Sequence, residues 1–420
     1  MDSQQSHTAA WARRFFAIWI GQQLSLIGSN LAQFALVWWL TQTTGSATVL
    51  AVAVAIATLP NIFLGPFVGA LVDCWPRRII LIFADGAVAA ASALLAILFW
   101  SGLIQVWQVY AILLVRALGT TFHWPAMAAT TPLMVPDKHL ARVAGLNQAI
   151  GGAVDILAPP LGALLLGILA MYNIMLIDVA TAALAILPLL FIPVPQPPRL
   201  ATGADVKSTI WADMMAGFRY VWGWPGLKAL ILYSLVLNLV VNPPMELLPL
   251  LVTQHFNGQA LQLGWLSSAW GFGVLAGGLL LSVWGGFRRR ILTMLMGVTG
   301  LGVGVLIVGL TPAMFFPLAL AGMFFGAVMN SMSNASLFTI LQSTITPEMQ
   351  GRVFALGRSL ATAAIPLGML VAGPLADEVG VRMLFLGAGI IYIFLGVGAF
   401  FSPVLMQLED KILPQTAPAV

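Results

Sequence analysis

Charge is what this sequence has least of: Asp, Glu, Lys and Arg together make up 8% of its 420 residues. Soluble domains carry about 25% charged residues. The 18 Lys and Arg and 14 Asp and Glu cannot coat a chain of this length against water, which excludes an ordinary soluble enzyme. Cysteine is nearly absent. Cys74 stands alone, so there is no intrachain disulfide and no thiolate metal site. The four histidines, His7, His123, His139 and His255, are far apart and lack metal-ligand spacing, so no metal is expected. No Walker A pattern, G-x-S-x-G elbow or metal triad is present, which argues against an ATP site and against an enzyme. A net charge of +4 does not signal nucleic acid, because the basic residues fall singly or in pairs between apolar runs. Their one cluster, Arg288–Arg290, is a single loop and not a basic face.

What takes the place of charge is apolar sequence, with 60% hydrophobic residues and a mean hydropathy of +0.97. A membrane-spanning helix needs about 20 such residues. Twelve apolar runs fall near 15–40, 47–72, 78–100, 105–131, 141–169, 173–192, 227–253, 260–285, 290–310, 314–342, 352–376 and 381–406. Arg13 and Arg14 precede the first run in the manner of a signal peptide. That run is too long, no A-x-A site follows and another span comes at once, so it reads as a first membrane helix. The runs holding Pro159-Pro160 and Asn242-Pro243-Pro244 are expected to be kinked or broken inside the bundle. The 41 glycines suit helices packed through small faces.

The loops set an orientation. Arg13/Arg14, Arg77/Arg78, Lys138/Arg142, Arg199 to Lys228, Arg288–Arg290, Arg352/Arg358 and Lys411 fall on one side. Loops near 41–46, 101–105, 170–173 and 310–313 carry no charge; Arg382 alone lies opposite, and Arg116 lies within a span. The positive-inside rule then puts both termini in the cytoplasm, in a multi-pass protein of the inner (plasma) membrane.

The chain divides in the middle. Residues 11–195 form an N-terminal six-helix bundle and 227–410 a C-terminal one. Between them, 196–226 is a cytoplasmic linker in which Trp211, Met215, Phe218, Val221 and Trp222 oppose Asp213, Arg219 and Lys228 as an amphipathic helix. The halves echo each other. Val135-Pro136-Asp137 with Arg142-Val143 returns as Thr346-Pro347-Glu348 with Arg352-Val353, and Arg77-Arg78-Ile79 returns as Arg289-Arg290-Ile291. Echoes six spans apart, with the same topology, imply two parallel repeats and a substrate cavity near the midplane.

Gly65-Pro66-Phe67-Val68-Gly69-Ala70-Leu71-Val72-Asp73, followed by Arg77 and Arg78, resembles the signature loop of the major facilitator superfamily. Arg116-Ala117-Leu118-Gly119 is similar to its second motif, and Gly152 through Asp155 to Pro159-Pro160-Leu161-Gly162 is similar to a degenerate exporter motif. Phe122-His123-Trp124-Pro125-Ala126-Met127 and Glu348-Met349-Gln350-Gly351-Arg352-Val353 resemble the macrolide-efflux and enterobactin-exporter branch. The second copy of the loop, near Gly277 to Arg290, has Trp284-Gly285-Gly286 where an aspartate is expected. The resemblance implies an all-α, twelve-helix secondary transporter without a cofactor. It would export lipophilic drugs of macrolide or multidrug type by proton antiport with alternating access. Its partners would be a small lipophilic substrate, protons and the lipid bilayer, and it would act as a monomer. Export of a native metabolite such as a siderophore is the second reading, and a non-transporting sensor the third.

Ionisable residues in spans are costly and become functional candidates. Arg116, Asp155, Asp178 and Glu246 are therefore the coupling candidates, with Arg116 and Asp178 placed to pair in the outer half. The gating set is Gly65, Gly69, Asp73, Arg77, Arg78, Asp85, Asp137, Arg352 and Arg358. In it, Asp73 is expected to meet the start of the helix in the run 352–376, which carries Arg352 and Arg358, Arg77 or Arg78 to meet Asp137, and Asp85 to support the turn between the runs 47–72 and 78–100. Gln33, Phe34, Trp38, Met127, Asn238, Asn330 and Asn334 are the cavity candidates, chosen as amides and large apolar groups in hydrocarbon.

Overall fold

The computed structural model describes residues 2–196 and 206–409; the side chains of 2–10, 66, 70, 73 and 206–214 lie outside the described set. All regular structure among the described residues is helical. The first six helices are α1 (Asp2–Thr44), α2 (Ala47–Cys74), α3 (Arg77–Ser101), α4 (Val106–Met134), α5 (Asp137–Ile168) and α6 (Met171–Phe191). Then come α7 (Val206–Gly223), α8 (Pro225–Glu246), α9 (Leu248–Gln254), α10 (Ala260–Trp284), α11 (Arg290–Leu310), α12 (Phe316–Thr344), α13 (Pro347–Val379), α14 (Val381–Phe400) and α15 (Pro403–Met406).

Among the described residues, eleven helices are long and apolar enough to cross a membrane. The twelfth is α4, whose 29 residues reach about 43 Å at 1.5 Å per residue. Arg116 and His123 lower its hydropathy, and both are bonded inside the helix cluster. The helix starts obey proline and repeat rules. Pro76 precedes α3, Pro136 precedes α5 and Thr346 precedes Pro347 of α13, while α11 opens on Arg290 behind Arg289. Corresponding helices of the two halves thus begin at the paired sequence signals. Gly102 and Gly285 close α3 and α10 at positive φ (70° and 79°), a conformation that a side chain would strain. The run at 227–253 breaks at Leu247, directly after Pro243 and Pro244, into α8 and α9. By contrast, α5 carries Pro159 and Pro160 without interruption.

The structure falls into two compact units, Met1–Thr44 with Val52–Ala204, and Gly45–Ala51 with Asp205–Val420. In the first, α1 packs on α6 and α5, and α3 packs on α6 and α4. Its core near the α2–α3 turn is Ile18, Val68, Val72, Ile80, Leu81, Ala126 and Leu189. In the second, α11 lies between α12 and α14, α10 packs on α12, and α7 packs on α13 and α8. Lipid offers no hydrophobic drive between helices, so they associate through close backbone approach. At Gly304 of α11 a Cβ would stand 2.6 Å from Gly326 Cα and 2.8 Å from Gly322 O of α12. The start of α2 belongs to this second unit as well. Asp377 of α13 accepts from the N–H groups of Ala47 (2.6 Å) and Thr48 (3.0 Å) and from the Ser46 hydroxyl (2.9 Å), and so caps that helix.

Candidate functional site

Two polar centres lie within the first unit. The first joins α1, α3, α4 and α6. Gly28 admits α1 against α6: a Cβ there would overlap Thr181 Oγ1 and sit 3.3 Å from Asp178 Cα. Ser29 Oγ donates to Asp178 Oδ1 at 2.9 Å and Ser92 Oγ donates to Oδ2 at 2.6 Å. Arg116 pairs with Asp178 Oδ2, and its guanidinium also reaches Ser92 Oγ (2.5 Å) and the Ser29 carbonyl (3.2 Å). Asp178 is fully buried and Arg116 is 6% exposed. The carboxylate thus accepts from Ser29, Ser92 and Arg116, and the expected Arg116–Asp178 pair forms inside the bundle.

The second centre joins α1, α3 and α4. Gln22 Nε2 donates to Asp85 Oδ2 at 2.8 Å, and Gln22 Oε1 lies 2.5 Å from His123 Nε2. Asp85 does not brace the α2–α3 turn, contrary to its place in the gating set. It lies eight residues beyond Arg77, about 12 Å along α3 at the helical rise, and faces α1 and α4 instead of the turn. Gln22 and His123 escaped sequence reasoning as a pair, because they are 101 positions apart and each is unremarkable alone.

The other ionisable candidates stay apart from both centres. Asp155 of α5 and Glu246 at the end of α8 are accessible, and no hydrogen bond or ion pair reaches either side chain among the described residues. In the gating set, Gly65 and Gly69 lie in α2, and the Asp73 side chain falls outside the described set. Arg77 donates to the Ala129 carbonyl (2.7 Å), and Arg78 donates to the carbonyls of Leu189 and Leu190. These arginines tie the start of α3 to α4 and α6. Asp137 opens α5, while Arg352 and Arg358 lie five and eleven residues beyond Pro347, the first residue of α13.

The cavity candidates separate into two groups. Trp38 is 4% exposed and packs into the interior. Phe34 packs its ring over Gly162 of α5, and Met127 packs against the clusters around Phe15 and Ile18. Gln33 is half-buried on α1. The amides of the second unit form two ladders one helical turn long. Asn242 Nδ2 donates to Asn238 Oδ1 (3.3 Å) on α8, and Asn334 Nδ2 donates to Asn330 Oδ1 (3.0 Å) on α12. Asn334 is exposed and the other three are half-buried, so these ladders carry accessible polar groups on otherwise apolar helices. Among the described residues no cluster of His, Cys, Asp and Glu has metal-holding geometry.

Helices in two repeated sets, with charges sequestered inside spans, define a polytopic transporter. The profile of the transmembrane secretion effector family matches residues 6–417, and the chain belongs to that family of the major facilitator superfamily. It is 34% identical over 391 residues to macrolide efflux protein A of Streptococcus pyogenes, covering 92% of this chain and 95% of that protein. It is 29% identical over 402 residues to the multidrug efflux pump Tap of Mycolicibacterium fortuitum, covering 91% and 94%. The fold is also that of a bacterial homologue of the human lysosomal transporter Spinster (TM-score 0.68, 12% identity, 97% and 99% covered). A bacterial homologue of the iron transporter ferroportin matches similarly (TM-score 0.66, 16% identity, 92% and 98% covered). The chain is a twelve-helix transporter and not an enzyme.

Proposed function

We propose that this protein exports lipophilic drugs, macrolides among them, across the plasma membrane by proton antiport with alternating access, as a monomer with both termini in the cytoplasm. The observation that carries the reading is the 34% identity to a macrolide efflux protein over nearly the full length of both chains. The chemistry of the spans supports it. Many lipophilic drugs are amines that carry positive charge, and Asp155 and Glu246 offer accessible carboxylates with no internal counter-charge among the described residues. The Asn238–Asn242 and Asn330–Asn334 ladders offer amide donors and acceptors to hydroxyl-rich faces of a substrate. The Arg116–Asp178 pair, held by Ser29 and Ser92, acts as a fixed brace. Gly65, Gly69, Asp73, Arg77 and Arg78 form the inner gating loop, with Asp137, Arg352 and Arg358 on the helices it serves.

The test is expression in a bacterial host stripped of its main drug pumps, with susceptibility measured for erythromycin and ethidium. Vesicles from the same cells are then assayed for erythromycin accumulation with and without an imposed pH gradient. The reading expects raised resistance and uptake abolished by a protonophore. Unchanged susceptibility to both compounds refutes drug export, and uptake indifferent to the protonophore refutes antiport alone.

A further inference from the structure

The second polar centre of the first unit has the composition of a proton site, and neither the brace nor the gating loop uses it. Asp85 is 6% exposed and takes the Gln22 amide on Oδ2. An amide oxygen only accepts, so the 2.5 Å contact to Gln22 Oε1 puts a proton on His123 Nε2. That nitrogen also stands 3.4 Å from Asp85 Oδ1. One N–H thus faces both an amide oxygen and a carboxylate oxygen, while the amide bridges the pair from its other end. With a neutral ring the cluster carries one negative charge, and one added proton makes it neutral. An unpaired charge among apolar helices is costly, so the proton count of the cluster can be tied to whether the helices close over it.

The surroundings leave this balance undisturbed. From α1 the group facing Asp85 is Gln22, and from α4 it is His123. The acid of α6, Asp178, is held by Arg116 of α4 at the level of Ser92, about 10 Å further along α3 at the helical rise. Arg77 and Arg78, at the start of α3, are turned to carbonyls of α4 and α6. Access is graded too: the His123 side chain is 27% exposed against 8% for Asp85. The ring is the accessible edge and the carboxyl the enclosed store.

We propose that the Gln22–Asp85–His123 cluster is the proton-exchange site of the transport cycle; the proposal rests on the antiport reading above. A proton arriving at Nδ1 of His123 is matched by passage of the Nε2 proton to Asp85. This leaves a neutral ring and a protonated carboxyl, one proton more than before. Gln22 then turns its amide over, so that its oxygen accepts from the carboxyl O–H and its NH2 donates to Nε2. Release runs the same steps backward. Because Gln22 sits on α1 and its two partners on α3 and α4, the protonation state is read as a change in how three helices are tied.

The experiment uses the full chain in proteoliposomes with radiolabelled erythromycin as the probe, and compares uptake driven by a pH gradient with counterflow exchange at equal pH. Wild type is expected to show gradient-driven accumulation. In Asp85→Asn and His123→Gln the ratio of driven to counterflow flux is expected to fall at least about tenfold, the change that one unit of proton affinity produces. Asp85→Glu should recover part of the ratio with a displaced pH profile, which a merely structural tie would not do. Should Asp85→Asn fail to fold, His123→Gln decides, since its ring is partly exposed and glutamine still offers an N–H toward Gln22. Variants that keep the wild-type ratio overturn the proposal and leave antiport standing. A wild-type protein indifferent to the gradient overturns antiport and the proposal with it.

Discussion

Removing one partner of the Arg116–Asp178 pair is the sharpest perturbation this fold allows. Asp178 is fully buried and accepts from Ser29, Ser92 and Arg116; Arg116 is 6% exposed. Asp178→Asn keeps the shape and an acceptor for one serine, but it leaves the guanidinium as an uncompensated buried charge. Arg116→Leu leaves the carboxylate in the same position. Breaking a buried ion pair from one side costs about 3–5 kcal/mol, whereas replacing both partners by apolar groups is often near neutral. The double variant Arg116→Leu/Asp178→Leu should therefore be more stable than either single one, although it has lost more contacts.

In a domain of about 200 residues each kcal/mol moves the midpoint by about 2–4 °C, so the single variants should melt roughly 6–20 °C below wild type. Thermal unfolding of detergent-solubilised protein, followed by loss of the monodisperse elution peak, measures this directly. A deficit of less than about 3 °C in both single variants, under about 1 kcal/mol by that scaling, refutes the reasoning. So does a double variant worse than the poorer single one. Either result would mean that water reaches the pair and that the burial does not isolate it.

Three further outcomes follow from contacts elsewhere. Gly304→Ala drives a methyl to within 2.6 Å of the Gly326 Cα at the α11–α12 crossing, where both neighbours are backbone. It should cost about 3 kcal/mol and halve expression or worse, as seen by fluorescence-detected size exclusion. Asp377→Ala removes the carboxylate that holds two backbone N–H groups and the Ser46 hydroxyl at the start of α2. The expected loss is about 0.5–2 kcal/mol, visible as faster hydrogen exchange at residues 47–50. Asn330→Leu deletes the acceptor of the Asn334 amide and one accessible polar contact. If the ladder meets substrate, erythromycin resistance should fall about two- to tenfold relative to ethidium resistance, the worth of one hydrogen bond. Equal loss for both compounds would place the ladder in folding and not in recognition.

How much of this was legible in the sequence depends on whether the signal is local or carried across helices. Span positions were legible because apolar length is local, and the break after Pro243-Pro244 because proline acts on its own turn. Arg116 and Asp178 were legible as a pair because two charges of opposite sign in apolar runs have few partners to choose from. The face a residue presents was not legible. The stretch of α1 around Trp38 is apolar nearly all round, so Trp38 looks the same in sequence whether it fills the interior, as it does, or lines a cavity. Asp85 was read toward the nearby basic turn, yet a side chain two turns into a helix answers to the neighbouring helices. Its partners, Gln22 on α1 and His123 on α4, are 63 and 38 positions away. The cap on α2 is the extreme case, since Ala47 and Asp377 are 330 positions apart and nothing in either segment names the other. The division has a consequence for function. The residues that sequence motifs mark, Gly65 to Arg78, run from the end of α2 into the start of α3, where local spacing is the signal. A proton site built from one side chain on each of three helices leaves no local spacing to detect, and it comes into view only when the helices are packed.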